Sequence, residues 1–227
     1  MEELDEITIQ EPELAEPVSE EQELAVLLGA EISDVALFAA QVLRRTGAYS
    51  VLCPGCGRGE SSAYLARRGF RVTAYDASRQ AVARAGENAE RAGVAVDVFV
   101  DDVVIPQRRL PLFDAVFAHN ILHQVRSAQR RALLRGFHRN LRQGGVLVIS
   151  VLSAEDERYG YGRQVEEDTF EFAMGENLHF YGAHELHEEL GRFFEVARVE
   201  DLQEVHNVGG VGKQIYRLLV ATALKMD

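Results

Sequence analysis

The chain has no tryptophan, two cysteines, five prolines and only two lysines against 22 arginines in its 227 residues. Two cysteines are too few for a disulfide framework, and five prolines beside 19 glycines exclude collagen-like and low-complexity chains. No apolar run approaches the roughly 20 residues that span a bilayer. The opening residues MEELDEITIQ show neither the basic nor the apolar region of a signal peptide, so a cytoplasmic location is expected. Positive charge is missing from the first 34 residues, which hold 12 of the 36 acids and no Lys or Arg. The rest is balanced at 24 acids and 24 bases, so the net charge of −12 belongs to the head. A neutral body offers no clustered basic face, which argues against nucleic acid and anionic membrane as partners. The head reads as a solvated lead-in.

What is present is a regular alternation. Residues 1–18, with Pro12 and Pro17, read as an acidic flexible lead-in. Ser19 and Gln22 have capping-box spacing, and apolar residues recur at helical intervals from Leu24 to Leu43, so residues 19–46 read as an N-terminal helical cap. Residues 47–227 read as the main domain. Apolar runs predict strands at 49–53, 71–76, 94–100, 114–118 and 146–151, with helices over 61–68, 78–92 and 127–141 between them. Such alternation predicts an α/β fold: a doubly wound, Rossmann-like sheet covered on both faces. The tail departs from this rhythm. A helix over 184–190 leads to strands at 194–205 and 215–223, joined by a bend at Gly209–Gly212 that is too short for another crossover. The expectation is a seven-stranded mixed sheet with an antiparallel C-terminal pair at its edge.

Between the first strand and first helix stands Val51-Leu52-Cys53-Pro54-Gly55-Cys56-Gly57-Arg58-Gly59, where a doubly wound sheet places its ligand crevice. Glycines there let backbone N–H groups approach a ligand closely. Asp76 closes the next strand about 20 residues on, where a carboxylate accepts both hydroxyls of a ribose. A dinucleotide fingerprint needs G-x-G-x-x-G, whereas this loop reads G-x-G-x-G followed by Glu60, a poor neighbour for a pyrophosphate. A cationic sulfonium ligand meets no such objection.

This loop resembles motif I of the class I S-adenosylmethionine (SAM) dependent methyltransferases, and the resemblance continues in order over roughly residues 45–225. It implies that Gly55 and Gly57 line the cofactor, that Asp76, with Ala77 beside it, takes the ribose, and that Asp102 and Val103 take the adenine, with Asp101 as the one-residue alternative. Phe113 to His123 is similar to motif IV, which places Ala118 against the cofactor and His119 towards a substrate, with His123 either towards the substrate or packing the loop. Leu141-Arg142-Gln143-Gly144-Gly145 is similar to the family's turn into strand five. Most relatives begin motif I with an acid that helps hold the methionine amino group; here that place is Cys53, as in the thiopurine and halide methyltransferases. The C-terminal Glu204-Val205-His206, the glycines after it and the strand from Ile215 are similar to the end of the tellurite-resistance methyltransferases. That family carries arginines where this chain has Asn207 and Gln214, which argues against an oxyanion substrate. The resemblance implies SAM as cofactor, S-adenosylhomocysteine as product, and transfer of a methyl group to a small-molecule nucleophile by a monomer or homodimer, with His119 and His206 as catalytic candidates. A noncatalytic SAM-binding partner protein and an NAD-dependent oxidoreductase are the alternatives.

Other polar residues admit plainer readings. Cys53 and Cys56 form C-x-x-C, but no second pair exists for a metal site and the SAM loop accounts for the spacing. His184 and His187 stand three apart, not the four a zinc helix requires. The aromatic segments around Arg158–Arg163 and Asn177–Tyr181 suit a substrate cover, making Tyr159, Tyr161, His179 and Tyr181 candidates for substrate contact.

Overall fold

A computed structural model describes residues 19–172, 175–208 and 212–226, except for the side chains of 206–208 and 212. The acidic lead-in and Gly209, Gly210 and Val211 lie outside the described residues. Two N-terminal helices, α1 (Glu20–Leu28) and α2 (Asp34–Arg45), precede β1 (Ser50–Pro54). Then follow α3 (Glu60–Arg67), β2 (Arg71–Asp76), α4 (Arg79–Arg91), β3 (Val96–Val100), β4 (Phe113–His119), α5 (Ser127–Asn140) and β5 (Leu141–Leu152). Three short strands, β6 (Arg163–Glu166), β7 (Thr169–Glu171) and β8 (Asn177–His179), lead to α6 (Ala183–Gly191), β9 (Glu195–Val208) and β10 (Gly212–Leu224).

The main sheet has seven strands in the order β3-β2-β1-β4-β5-β10-β9. Strands β1 to β5 run parallel, and β10 pairs antiparallel with β5 and β9, as the sequence predicts. The order reverses between β1 and β4, which is where a doubly wound sheet opens a crevice at its strand C-termini. Side-chain alternation fixes the two faces. Val51, Cys53, Ala115, Phe117, Val146 and Val148 join a core with α2 and α3, while Leu52, Val116, Ala118, Leu147 and Ile149 join one with α5 and α6.

Local caps set the helix starts. Ser19 Oγ accepts from Gln22 N at 3.2 Å while Gln22 Oε1 accepts from Ser19 N at 2.8 Å, closing the capping box read in the sequence. Ser78 caps α4 through Ala81 N at 3.2 Å. The start of α2 is held from a distance: buried Glu204 on β9 accepts from Ser33 Oγ at 2.5 Å and Val35 N at 3.1 Å.

Two differences from the sequence reading matter. Strand β5 begins at Leu141 rather than Val146, because Leu141 already pairs with Phe113 before the register shifts and the main pairing starts at Ala115 and Val146. The segment read as a loop cover contains a separate antiparallel sheet, β6-β7-β8. Its strands of three or four residues are too short and too polar to show a period-two pattern.

Candidate active site at the C-terminal ends of strands one, four and five

The glycine loop turns through left-handed backbone at Gly55, Gly57 and Gly59, with φ of 61°, 55° and 82°. At Gly55 the requirement is also steric: a Cβ there would stand 2.3 Å from Ile121 Cδ1 on the loop after β4. The loop and the motif IV segment are therefore packed against each other. Gly57 N donates to Asp76 Oδ2 at 3.0 Å, and Ser78 N donates to Asp76 Oδ1 at 2.9 Å. Each carboxylate oxygen keeps acceptor capacity for a hydroxyl.

After β3 the two acids divide their labour. Asp101 accepts from Asp102 N, Gln107 N and Arg108 N, and although partial burial works against its charge, these donors hold it below the usual carboxylate range. Its carboxylate organises the loop. Asp102 uses Oδ1 for Val104 N at 2.8 Å and Ile105 N at 2.7 Å, which leaves Oδ2 without a partner among the described residues. The Val103 N–H is likewise unpartnered among them. An acceptor followed by a backbone donor matches the amino group and ring nitrogen of an adenine. Of the loop's charges, Arg58 is committed to Glu60 at 2.6 Å, so the loop presents no uncommitted cation to a pyrophosphate.

The structure corrects several side-chain assignments. Cys53 is 2% exposed in the α2–α3 core, and burial pushes its thiol up to about 12, so any ligand contact from this position belongs to the backbone. Burial, then the Asp76 carboxylate, does the same for Cys56, which makes neither thiol a nucleophile at neutral pH. Ala118 points into the opposite core, while Ala77 is exposed just past Asp76. Tyr181 is fully buried and donates its hydroxyl to Glu189 at 2.8 Å. His179, 1% exposed, sits between Thr169 Oγ1 at 2.8 Å and Glu185 Oε1 at 2.9 Å. His179 ties the small sheet to α6, and Tyr181 ties the segment beside Ser153 to the same helix, instead of facing a substrate. Tyr159 packs edge-on against Phe170 and Phe180 and donates to Asp168; Tyr161 is exposed, and neither lines the cavity.

The motif IV end is more organised than its sequence shows. His119, half-buried and stacked on Phe117, places Nδ1 2.8 Å from Ser150 Oγ on β5. Asn120 adopts φ of 52°, rare outside glycine, and is held there because its N–H donates to Ser150 Oγ at 3.0 Å and its Oδ1 accepts from it at 3.1 Å. Asn120 Nδ2 faces His119 Nε2 at 3.3 Å. So oriented, the amide requires Nε2 to be the acceptor, and the ring proton stands on Nδ1, donated to Ser150. His119 Nε2 thus accepts from Asn120 while Nδ1 donates to Ser150.

Beyond this lies a cavity of about 290 Å³, with Asn120, His123, Arg158, Asn177, Leu178 and Tyr216 in its wall. Tyr216 comes from the overhanging part of β10, which stays paired with β9 but extends past β5, since pairing with β5 starts only at Leu218. The backbone of His206 lies on the same overhang, opposite Gln214; its side chain lies outside what is described. Arg158, Asp156, Ser150 and Tyr216 are site residues the sequence reading missed. Ser150 had a signal, being a hydroxyl in an otherwise apolar strand, but Tyr216 had none because the overhang exists only in the sheet.

Strand order and the glycine loop at the crevice together define a class I methyltransferase fold. Residues 51–145 match the family model of a methyltransferase domain, and the cofactor of this SAM-dependent family is SAM. An uncharacterised methyltransferase of Synechocystis sp. is 33% identical over 94 residues, 41% of this chain and 42% of that protein. The match thus spans less than half the length of that relative. The 1,6-didemethyltoxoflavin-N1-methyltransferase of Burkholderia thailandensis, solved with S-adenosylhomocysteine, superposes with a TM-score of 0.65 at 23% identity, over 93% of this chain and 92% of its own. TehB from Haemophilus influenzae gives 0.63 at 18% identity, over 86% and 62%. At these identities the solved structures speak to the fold.

Proposed function

We propose that this chain transfers a methyl group from SAM to a small-molecule acceptor bound in the cavity beside Asn120. The observation that carries the reading is the set of groups along the crevice: Asp76 bracing Gly57, then Asp102 Oδ2 and the Val103 N–H, both unpartnered among the described residues. Gly55 and Gly57 offer close backbone approach, Asp76 the ribose acceptor, and Asp102 with Val103 the adenine edge. Held by these residues, SAM would supply an electrophilic methyl group to the acceptor's lone pair, with S-adenosylhomocysteine as the leaving group.

The chain's own residues then have three tasks. The crevice and the cavity hold donor and acceptor in line, which by proximity alone supplies much of such a rate. The apolar loop contact between Gly55 and Ile121 excludes water beside the crevice. His119 stands behind Asn120 and outside the cavity lining, so it takes the proton that an O–H, N–H or S–H acceptor must lose only after the Asn120 amide turns away from Nε2, while Ser150 receives the Nδ1–H bond that stabilises the resulting imidazolium. A cavity of about 290 Å³ lies at the low end of ligand pockets and suits a small molecule rather than a polymer.

Calorimetric titration with SAM and S-adenosylhomocysteine, with NAD as control, tests the cofactor assignment. Micromolar binding of both sulfur ligands and none of NAD is expected. Binding of NAD alone overturns the reading in favour of an oxidoreductase.

A further inference from the structure

The cavity wall is built around two side chains whose hydrogen-bonding roles are fixed by their surroundings. The first is His123, 4% exposed, whose Nδ1 accepts from Leu152 N at 3.2 Å. A ring nitrogen that accepts from a backbone N–H carries no proton. Burial, reinforced by the positive charge of neighbouring residues, lowers the pKa of His123 to about 3, so the ring is neutral under all ordinary conditions. A neutral ring whose Nδ1 is bare has its proton on Nε2. Nε2 has no partner among the described residues, and the ring forms part of the cavity wall. His123 is a hydrogen-bond donor to the cavity and not a base.

The second is Arg158. Its Nε and Nη2 form a fork on Asp156 at 2.7 and 3.0 Å, and its guanidinium lies 4.0 Å from the centroid of the Tyr216 ring. Asp156 is itself fixed, because its side chain has no exposure and its Oδ2 accepts from Arg217 N at 2.9 Å. Asp156 and Tyr216 thereby lock the guanidinium in one plane, and Nη1 is left without a partner among the described residues. Two fixed donors thus share one small cavity, and the charge of one is largely balanced by a buried carboxylate. Glu176 stands on the same wall with no cationic partner among the described residues. A doubly charged phosphate would meet that carboxylate, whereas a single acceptor oxygen on a flat molecule needs only the two donors.

Resting on the methyltransferase reading above, we propose that the methyl acceptor is a small planar aromatic or heteroaromatic molecule that docks through a carbonyl or carboxylate oxygen between His123 Nε2 and Arg158 Nη1. The flat guanidinium–tyrosine stack favours a planar partner, and the donors select an oxygen that accepts. His123 is then a specificity-determining residue for the acceptor, with no proton to transfer.

The test uses benzoate as probe, titrated into the protein saturated with S-adenosylhomocysteine. Phenyl phosphate, benzylammonium and toluene serve as controls of opposite chemistry. Benzoate is expected to bind saturably and the controls at least tenfold more weakly. In His123→Asn the amide oxygen reaches only as far as Nδ1, so it still accepts from Leu152 N while the Nε2 donor is lost. Its affinity for benzoate is expected to fall at least tenfold, with S-adenosylhomocysteine affinity unchanged as proof that the fold and cofactor site survive. Arg158→Lys keeps the charge without the fork and is expected to weaken benzoate similarly, which provides an independent reading should His123→Asn fail to fold.

The groups around the ring are His119 on β4, Asp156 and Arg158 after β5, His179 on β8 and Glu176 on the cavity wall. Because the His123 donor does not titrate, any change of benzoate affinity between pH 6 and 8 is expected to persist in His123→Asn, whereas a protonating His123 would make it disappear there. Tighter binding of phenyl phosphate or benzylammonium, no benzoate binding, or unchanged affinity in both variants overturns the inference while leaving the cofactor assignment intact. Failure to bind S-adenosylhomocysteine, read first, overturns the methyltransferase reading itself.

Discussion

The carboxylate of Asp76 accepts a hydrogen bond from the backbone N–H of Gly57 at 3.0 Å, so the end of β2 fixes the glycine loop after β1 across the crevice. One side chain therefore shapes the loop and borders the crevice in which the cofactor is proposed to bind. Charge-assisted hydrogen bonds contribute roughly 1.5–3 kcal/mol each. Asp76→Ala is expected to weaken SAM at least 100-fold by calorimetry, with a cooperative unfolding transition retained. Asp76→Asn, which keeps the size and one acceptor, is expected to lose less. Unchanged affinity in Asp76→Ala would remove the crevice as the cofactor site.

Gly55 is demanded twice, by its φ of 61° and by Ile121. Gly55→Ala is expected to lower thermal stability and to displace the motif IV loop. Adding Ile121→Ala relieves the clash but leaves the left-handed strain, which costs roughly 1–2 kcal/mol. The double variant is therefore expected to be more stable than the sum of the singles indicates, a positive coupling measurable in a double-mutant cycle. Simple additivity would show that the contact is not made.

Stability should depend on pH through His123. Its folded pKa, about 3, lies below the ordinary value of 6.5, so in the window between them the unfolded chain binds a proton that the folded chain refuses. Stability is thus present in full above about pH 6.5 and lost as pH falls, by order of 1 kcal/mol per pH unit. His138, also lowered by partial burial, adds in the same direction, whereas Asp101, Asp114 and Asp156 act only nearer their own low range. Urea titrations at pH 7 and pH 5 are expected to show this fall in wild type and a markedly smaller one in His123→Asn. Equal slopes would place the ring in contact with solvent.

Ser150 holds both His119 and the left-handed Asn120. Ser150→Ala removes three hydrogen bonds at once. Nitrogen-15 spectra of the imidazole are expected to show the Nδ1–H tautomer of His119 in wild type and a mixture in the variant. Loss of about 1–2 kcal/mol is expected to lower Tm by roughly 2–8 °C, given the 2–4 °C per kcal/mol typical of this size. An unchanged tautomer would show that Asn120 alone orients the ring.

Much of the fold was legible in the chain because burial on two faces leaves near-continuous apolar strands, as in Val146 to Leu152, punctuated by helices with readable caps at Ser19 and Ser78. The crevice was legible for the same local reason: left-handed turns at Gly55, Gly57 and Gly59 need glycine, and Asp76 ends the strand beside them. What failed to show was the sheet β6-β7-β8, whose three- and four-residue strands carry no period. The acceptor side was harder still, since Arg158 and Tyr216 stand 58 residues apart and meet only because β10 overshoots the end of β5.

By itself, then, the sequence determined the strand–helix alternation, the antiparallel final pair and the left-handed glycine loop, all of which rest on short-range patterning and backbone sterics. Only the tertiary structure decided what the polar side chains do. His179 and Tyr181 became core contacts to Glu185 and Glu189, Asp101 became a loop brace with Asp102 left facing outward, and His123 accepts from Leu152 N on Nδ1 while His119 accepts from Asn120 on Nε2. Protonation and exposure depend on which groups burial brings within hydrogen-bonding distance, and those partners lie far away in the chain.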